Sequence, residues 1–188
     1  MRNLIKWSFV GLVSVAMLSL PFPAQAKDAE DKLIADLSSK SEQTVVETLL
    51  AIEKQYPTST KAFPTIKKLL TDPREKVRRK AARVLGVLHA DVDEQNIKDI
   101  CAMLKASDPR EQMDALISLR GLKAESTIPE ILPLLKSTTP NVIRDACRTL
   151  AVLGNKDVIP SIEPLLTHPD KKVQADAQDA IYKLKAKA

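Results

Sequence analysis

The sequence predicts an all-α, right-handed solenoid built from about five helix pairs. The first observation is an internal repeat, in which Ile66, Ile100, Ile131 and Ile162 follow one another at steps of 34, 31 and 31 residues. The second is that the apolar residues inside each unit keep helical spacing and not the alternation of a strand. Self-similarity at such a period is the signature of stacked repeats, each a supersecondary unit that buries its apolar face against its neighbours.

Five further columns of residues keep the same steps. They start at Leu69, Leu70, Ala81, Leu85 and Leu88, and they continue through Met103, Leu134 and Leu165; Leu104, Leu135 and Leu166; Ala115, Ala146 and Ala177; Leu119, Leu150 and Ile181; and Leu122, Leu153 and Leu184. We expect these columns to form the stacked core. The small residue of the Ala81 column allows the two helices of a pair to approach closely.

Each unit is predicted to form two helices. In the first, apolar residues fall at i, i+3 and i+4 from Ile131 or its equivalents, and in the second they fall at i, i+4, i+8 and i+11 from Val77. Proline suits the first helical position, which Pro64, Pro129 and Pro160 are expected to occupy. Pro133 and Pro164 would remove a hydrogen bond inside the first helix, so a bend or a late helix start is expected there.

Turn residues separate the two helices of a unit. The turns are predicted at Thr71–Pro73, Ser107–Pro109 and His168–Asp170. Glycines near the ends of the second helices predict left-handed caps, at Gly86, Gly121 and Gly154.

The terminal units depart from the repeat, as expected where one face meets water. A degenerate first unit is predicted from Leu33, Ile34, Leu37, Val45, Val46, Leu49 and Ile52. The last helix, residues 171–188, carries polar residues typical of a C-terminal cap at Gln174, Asp176, Gln178 and Asp179.

The N-terminus predicts a cleaved signal peptide over residues 1–26, followed by one repeat domain over residues 27–188. Arg2 and Lys6 precede an uncharged apolar stretch that ends at Ala24-Gln25-Ala26, a small-x-small cleavage pattern. Cleavage leaves 162 of the 188 residues, and because two cations and no acid are lost, the net charge falls from +5 to +3. The expected location is periplasmic or secreted, without stable membrane insertion. This mild charge and the 3% aromatic content argue against a nucleic-acid binder.

Residues 72–86 (DPREKVRRKAARVLG) resemble the short HEAT-like repeats of the phycobilisome-lyase type, in which Asp-Pro is followed by Val-Arg, a small pair and Leu-Gly. The resemblance extends over about residues 29–188. It implies that the second helices line the concave side of the solenoid. It also implies a ladder between an Asp and an Arg one helix apart. Asp72 and Arg78 match that ladder, whereas the later equivalents are Ala106 and Gln112, Ser137 and Ile143, and His168 and Gln174.

No catalytic constellation, metal-ligand spacing or cofactor motif is found, so we expect no enzyme activity, metal or cofactor.

Cys101 and Cys147 are the two cysteines, and an oxidising compartment favours a disulfide between such a pair. The repeat register places them diagonally, on the first helix of the third unit and the second helix of the fourth, so unpaired thiols are predicted. His168 occupies the turn position of Asp72, which predicts a capping role.

The predicted binding surface lies on the outward positions of the second helices. It comprises Lys76, Arg79, Lys80, Arg83, Met113, Ile117, Arg144 and Arg148. Arg74 and Arg78 are expected to add charge at its edge. The expected role is a scaffold or adaptor that binds another protein with an acidic surface.

Three alternatives remain open for this surface. It is an ordinary solvated face in which Asp114, Asp145 and Asp176 pair with neighbouring arginines; it binds anionic envelope lipid or glycan; or the chain is a lyase-type enzyme.

Overall fold

The structure, a computed structural model, describes residues 22–55 and 60–187. Within those ranges every regular element is an α-helix or a short 3-10 helix, and there is no strand. The all-α prediction is therefore confirmed for this part of the chain. Most of the predicted signal peptide, residues 1–21, lies outside the described residues. The first described helix begins at Phe22, upstream of the expected cleavage site.

Ten α-helices form five consecutive pairs in the described chain. The first helices are α1 (Phe22–Asp36), α3 (Phe63–Lys68), α5 (Glu94–Met103), α7 (Ile128–Ile131) and α9 (Ile159–Ile162). The second helices are α2 (Glu42–Gln55), α4 (Glu75–Val87), α6 (Pro109–Gly121), α8 (Pro140–Leu153) and α10 (Lys171–Ala186). The second helices pack extensively on one another, α2 on α4, α4 on α6, α6 on α8 and α8 on α10, and together they are called the second-helix layer below.

The repeat register correctly predicts the core. The columns that start at Ile66, Ala81 and Leu85 are buried at every position, with exposures from 0% to 8%. Apolar residues of the degenerate first unit are buried too, including Leu37, Val45, Leu49 and Ile52. In the other columns Leu69, Leu88 and Leu122 are partly buried, and Leu166 is 42% exposed.

The prolines inside the first helices change the type of helix. The α-helical hydrogen bonds of α7 and α9 end at Ile131 and Ile162, and 3-10 segments continue over Leu132–Lys136 and Glu163–Thr167. Pro133 and Pro164 fall at the second position of these segments. A 3-10 helix has a different hydrogen-bond pattern, which accommodates the missing N–H, so the irregularity expected at these prolines takes the form of a change of helix type.

The turns inside the second, fourth and fifth pairs share one hydrogen bond. The backbone N–H two residues on donates to the side chain of Asp72 (2.8 Å), Ser137 (3.2 Å) or His168 (3.0 Å). His168 thus makes the turn contact that Asp72 makes, with Nδ1 as the acceptor, whereas the residue that caps α10 is Asp170, which accepts from the N–H groups of Lys172 and Val173.

The prediction of left-handed glycine caps is wrong. No glycine in the described chain has a positive φ, and the left-handed positions are His89 (φ 50°) and Lys123 (φ 54°). Gly86 and Gly121 instead lie where α4 and α6 touch. A Cβ on Gly121 would contact the carbonyl group of Gly86, and a Cβ on Gly86 would contact the backbone of Ser118. These two glycines are required for close helix packing.

No helix in the described residues is long and apolar enough to cross a membrane.

Candidate functional site

Four cations of α4 lie on the outward side of the second-helix layer. Lys76, Arg79, Lys80 and Arg83 are spaced by three, four and seven residues, which returns them to one side of the helix. The opposite side of α4 is apolar and fully buried. Burial of that apolar side fixes which way the cations point.

Two of these arginines pair with the neighbouring helix. Arg79 Nε donates to Asp114 of α6 at 2.9 Å, and Arg83 Nη1 lies 3.6 Å from the other oxygen of the same carboxylate. Arg79 also contacts Glu75 at 3.3 Å and Asp108 at 3.6 Å. Burial disfavours the charged form of Arg79, but the hydrogen bond and negative charge of Asp114 outweigh burial and raise its pKa.

The same arrangement recurs between α8 and α10. Arg144 Nε donates to Asp176 at 2.6 Å, and Arg148 donates to both oxygens of that carboxylate at 3.1 Å. Asp114 and Asp176 occupy the same column of the repeat, each held by two arginines from the preceding helix. The solvated-face alternative correctly anticipates these pairs, which tie neighbouring repeats together.

These arginine–aspartate pairs between neighbouring second helices are interrupted between α6 and α8. Asp145 occupies the Asp column there, but the two positions that hold arginines in α4 and α8 are Met113 and Ile117 in α6. Among the residues that the structure describes, the Asp145 carboxylate forms one ion pair, with Arg148 Nη1 of its own helix at 3.4 Å. Burial is the main cause that raises the pKa of Asp145, against the charges of Arg148 and Arg120.

A basic groove of about 520 Å³ runs over α2, α4 and α6. Its lining is Val46, Lys76, Arg79, Lys80, Arg83, Arg110 and Asp114, so five cations accompany one carboxylate. Lys76 lies 3.1 Å from Glu42 and remains 70% exposed. Lys80 and Arg110 have no ion pair within the described chain. The groove therefore has an excess of positive charge even after its internal pairs are counted.

The sequence-based prediction of the binding surface omitted two arginines on the same side of the second-helix layer, Arg110 and Arg120. Arg110 stands 34 residues after Lys76, so the repeat register itself carried the signal. Arg120 had no such signal, because its column holds Gly86, Ala151 and Tyr182 elsewhere. It lies near Arg83, Asp145 and Arg148, and burial is the first cause that lowers its pKa.

Arg74 and Arg78 do not add charge to the edge of the face as predicted. Arg74 donates to the carboxylate of Asp72 at 2.7 and 2.8 Å and to the carbonyls of Ser39 and Lys40. It thereby joins the first pair to the second. Arg78 donates to the nearly buried carboxylate of Glu111 at 3.0 Å, so its charge is also used inside the protein.

The ladder implied by the family resemblance takes a different form. Asp72 uses its carboxylate on Arg74, and Arg78 Nη1 donates instead to the backbone carbonyl of Asp72 at 2.9 Å. Gln112 and Gln174 make the same contact with the carbonyls six residues before them, at 2.9 and 2.6 Å. Glutamine thus replaces arginine in this contact, and no carboxylate is needed.

The remaining reactive side chains form no catalytic group in the described chain. Cys101 on α5 and Cys147 on α8 are free thiols, and burial raises their pKa to about 11 and about 12. Such thiols are not nucleophilic at neutral pH. Within residues 22–55 and 60–187, no three His, Cys, Asp or Glu side chains are placed to hold a metal.

An apolar groove of about 650 Å³ lies on the other side of the molecule, among the first helices. Its lining includes Pro129 of α7, Pro160 of α9, and Leu132, Pro133 and Pro164 of the 3-10 segments that follow these helices. It has one cation, Lys136, and no acid.

The five stacked helix pairs and the charged second-helix layer define a helical-repeat protein with an extended surface along one layer. Comparison with known families agrees. A profile of HEAT repeats matches residues 97–182, and a profile of the HEAT repeat matches residues 62–92. The chain belongs to the HEAT-repeat proteins. No curated protein matches it.

Solved structures share this fold at low sequence identity. The phycocyanin lyase complex of CpcE and CpcF from Nostoc sp. PCC7120 is 24% identical, with a TM-score of 0.72 over 84% of this chain and 65% of that chain. YibA of E. coli is 23% identical, with a TM-score of 0.71 over 88% and 57%. A designed armadillo repeat protein in complex with the peptide (KR)4 is 18% identical, with a TM-score of 0.64 over 85% and 83%. The chain thus spans somewhat less than two thirds of the two natural relatives.

Proposed function

We propose that this protein is a non-catalytic scaffold or adaptor that binds an acidic segment of another protein in the basic groove. The observation that carries the proposal is that the five cations of the groove outnumber the four carboxylates that pair with them, which are Asp114 in the lining and Glu42, Glu75 and Asp108 beside it. Lys80 and Arg110 have no internal ion pair, so a partner's carboxylates would supply contacts that the protein itself does not. HEAT and armadillo repeats present extended layers suited to such binding.

The arginines held by Asp114 and the other cations of the groove have different roles in this proposal. Arg79 is 20% exposed and is held by Asp114, so it shapes the wall of the groove and contributes charge without moving. Lys76, Lys80 and Arg110 reach the partner. Because these contacts are exposed, each contributes only a few tenths to about 1 kcal/mol. Several must act together, and binding should weaken as salt screens them over about 8 Å at physiological ionic strength.

The proposed location is the periplasm or the cell exterior. Its support is the charged n-region, apolar stretch and small-x-small site of residues 1–26, and cleavage there would leave α1 from Lys27 onward. The handedness proposed for the solenoid is right-handed, as the HEAT resemblance implies. An exported adaptor of this kind would act on proteins of the cell envelope.

Two other functions compete for the same surface. Anionic lipid or glycan would also bind to the positively charged groove. A lyase-type activity is suggested only by the fold shared with the phycocyanin lyase complex. The one carboxylate in the lining of the basic groove, Asp114, is already paired with Arg79 and Arg83, which favours binding over catalysis.

The test compares two double variants that change the net charge equally. Lys80→Glu with Arg110→Glu reverses the unpaired cations of the groove. Lys68→Glu with Lys136→Glu makes the same change at exposed lysines among the first helices. Fluorescence anisotropy with a glutamate-rich peptide should show roughly tenfold weaker binding for the groove variant. The control variant should bind nearly as the wild type does.

Equal losses in both variants would mean that net charge alone attracts the peptide, and would refute the groove. Sedimentation with vesicles that contain an anionic phospholipid separates the lipid alternative. Vesicle binding lost only in the groove variant, without peptide binding by the wild type, would replace the protein partner with a membrane surface.

A further inference from the structure

Among the three steps of the second-helix layer from α4 to α10, one breaks the pattern of the other two. From α4 to α6 and from α8 to α10, a carboxylate is held by two arginines of the preceding helix. From α6 to α8 those arginine positions are Met113 and Ile117. We call these two residues and Asp145 opposite them the apolar step.

The two side chains of the apolar step differ in their surroundings. Met113 is partly buried and packs against the hydrophobic core, whereas Ile117 is partly buried without being part of that packing. Replacing an arginine pair by these residues removes two charges from the middle of a charged layer. An apolar surface of this kind binds an apolar side chain, because both then leave water.

Arg120 stands on the same side of α6, three residues after Ile117 and seven after Met113. It has no hydrogen bond or ion pair from its guanidinium within the described chain. Burial, and the positive charges of Arg148 and Arg83, lower its pKa against the opposing charge of Asp145. A carboxylate placed here would relieve the repulsion among three arginines that belong to successive helices.

We propose that the apolar step is a second subsite for the same acidic segment, where an apolar side chain rests on Met113 and Ile117 beside a carboxylate bound by Arg120. This inference rests on the proposed function and specifies the partner. Neighbouring helices lie about 8–10 Å apart, and an extended chain advances about 3.3 Å per residue. The apolar residue is therefore separated from the acidic run of the partner by about three residues, and the proposal places it on the C-terminal side of that run.

The experiment uses the full chain and two fluorescent peptides. One has a run of glutamates, two alanines, a leucine and a final glutamate, and the other has serine in place of the leucine. Wild-type protein should bind the leucine peptide about fivefold more tightly, which corresponds to partial burial of one leucine side chain.

The variant Ile117→Arg restores the arginine found at this position in α4 and α8, next to Asp145. The position is partly exposed and accepts arginine in two neighbouring repeats, so the fold should be retained. We expect the variant to bind both peptides equally and the serine peptide no worse than wild type does. Leu166→Arg, which adds a cation at an exposed leucine among the first helices, should keep the fivefold preference.

The role of Arg120 is tested with the leucine peptide that lacks its final glutamate. Removing that glutamate should weaken binding to wild type and have little effect on Arg120→Gln. Equal affinities of wild type for the leucine and serine peptides would overturn the apolar subsite and leave the proposed function standing. Absence of binding to any glutamate peptide would overturn both.

Discussion

Alanine at Gly121 should destabilise the protein through the contact between α4 and α6. The added Cβ would lie 2.7 Å from the carbonyl carbon of Gly86 and closer still to its oxygen. Carbon atoms in ordinary contact are about 3.5–4.0 Å apart. The obstacle is backbone and not the end of a flexible side chain, so the two helices must separate by about 1 Å.

The magnitude follows from two opposing effects. Overpacking of a close contact costs about 1–3 kcal/mol, and a backbone neighbour places Gly121→Ala at the upper end. Alanine regains about 1 kcal/mol over glycine in helix propensity. The net loss is about 2 kcal/mol in the free energy of unfolding, or a fall of roughly 4–8 °C in Tm for a chain of this size.

Urea unfolding and thermal melting, both followed by circular dichroism, measure this loss. Gly86→Ala should act similarly, because its Cβ would lie 2.9 Å from the carbonyl oxygen of Ser118. The double variant should lose less than the sum, since one separation of the helices accommodates both methyl groups. A Tm for Gly121→Ala at or above that of wild type would refute the close approach of the two helices.

Three further predictions concern a turn, a carboxylate and the core. Lys123→Gly should raise the free energy of unfolding by up to about 1 kcal/mol, since φ is 54° there. The control Lys105→Gly, at a position where φ is not positive, should lower the free energy of unfolding. A loss in both variants would contradict the left-handed turn. The hydrogen bonds from Arg74 hold the pKa of Asp72 below its usual range, so this carboxylate stabilises the fold at neutral pH, and that contribution is lost as the pH falls through the lowered pKa. Urea unfolding at pH 7 and about pH 3 should therefore show a smaller loss on acidification for Asp72→Asn than for wild type, and equal losses would contradict the coupling. Leu150→Asp places a charge where the side chain is 0% exposed and should abolish the cooperative melting transition seen by circular dichroism, whereas a melting curve like the wild type's would mean that the register is wrong.

The sequence located the outward side of the second-helix layer, but it did not show which of the cations there form ion pairs within the protein. Lys76, Arg79, Lys80 and Arg83 were identified because helical spacing alone places them on one side of α4. Whether each is available depends on acids about 30 residues away, such as Asp114, and on the offset between stacked helices. Arg110 could have been found from the register, whereas Arg120 belongs to a column with no other charge.

By itself, the sequence determined the helix pairs, their number and the core. Apolar periodicity is a local property, and the same pattern recurs from one repeat unit to the next. Only the tertiary structure decided what Gly86 and Gly121 do, since a close approach of two backbones leaves no pattern different from that of a helix cap. It also decided which arginines are held by neighbouring repeats and which are free for a partner. The physical reason is that a long charged side chain has several acids within reach. A difference of a few ångströms in the distance between helices determines which of them it pairs with.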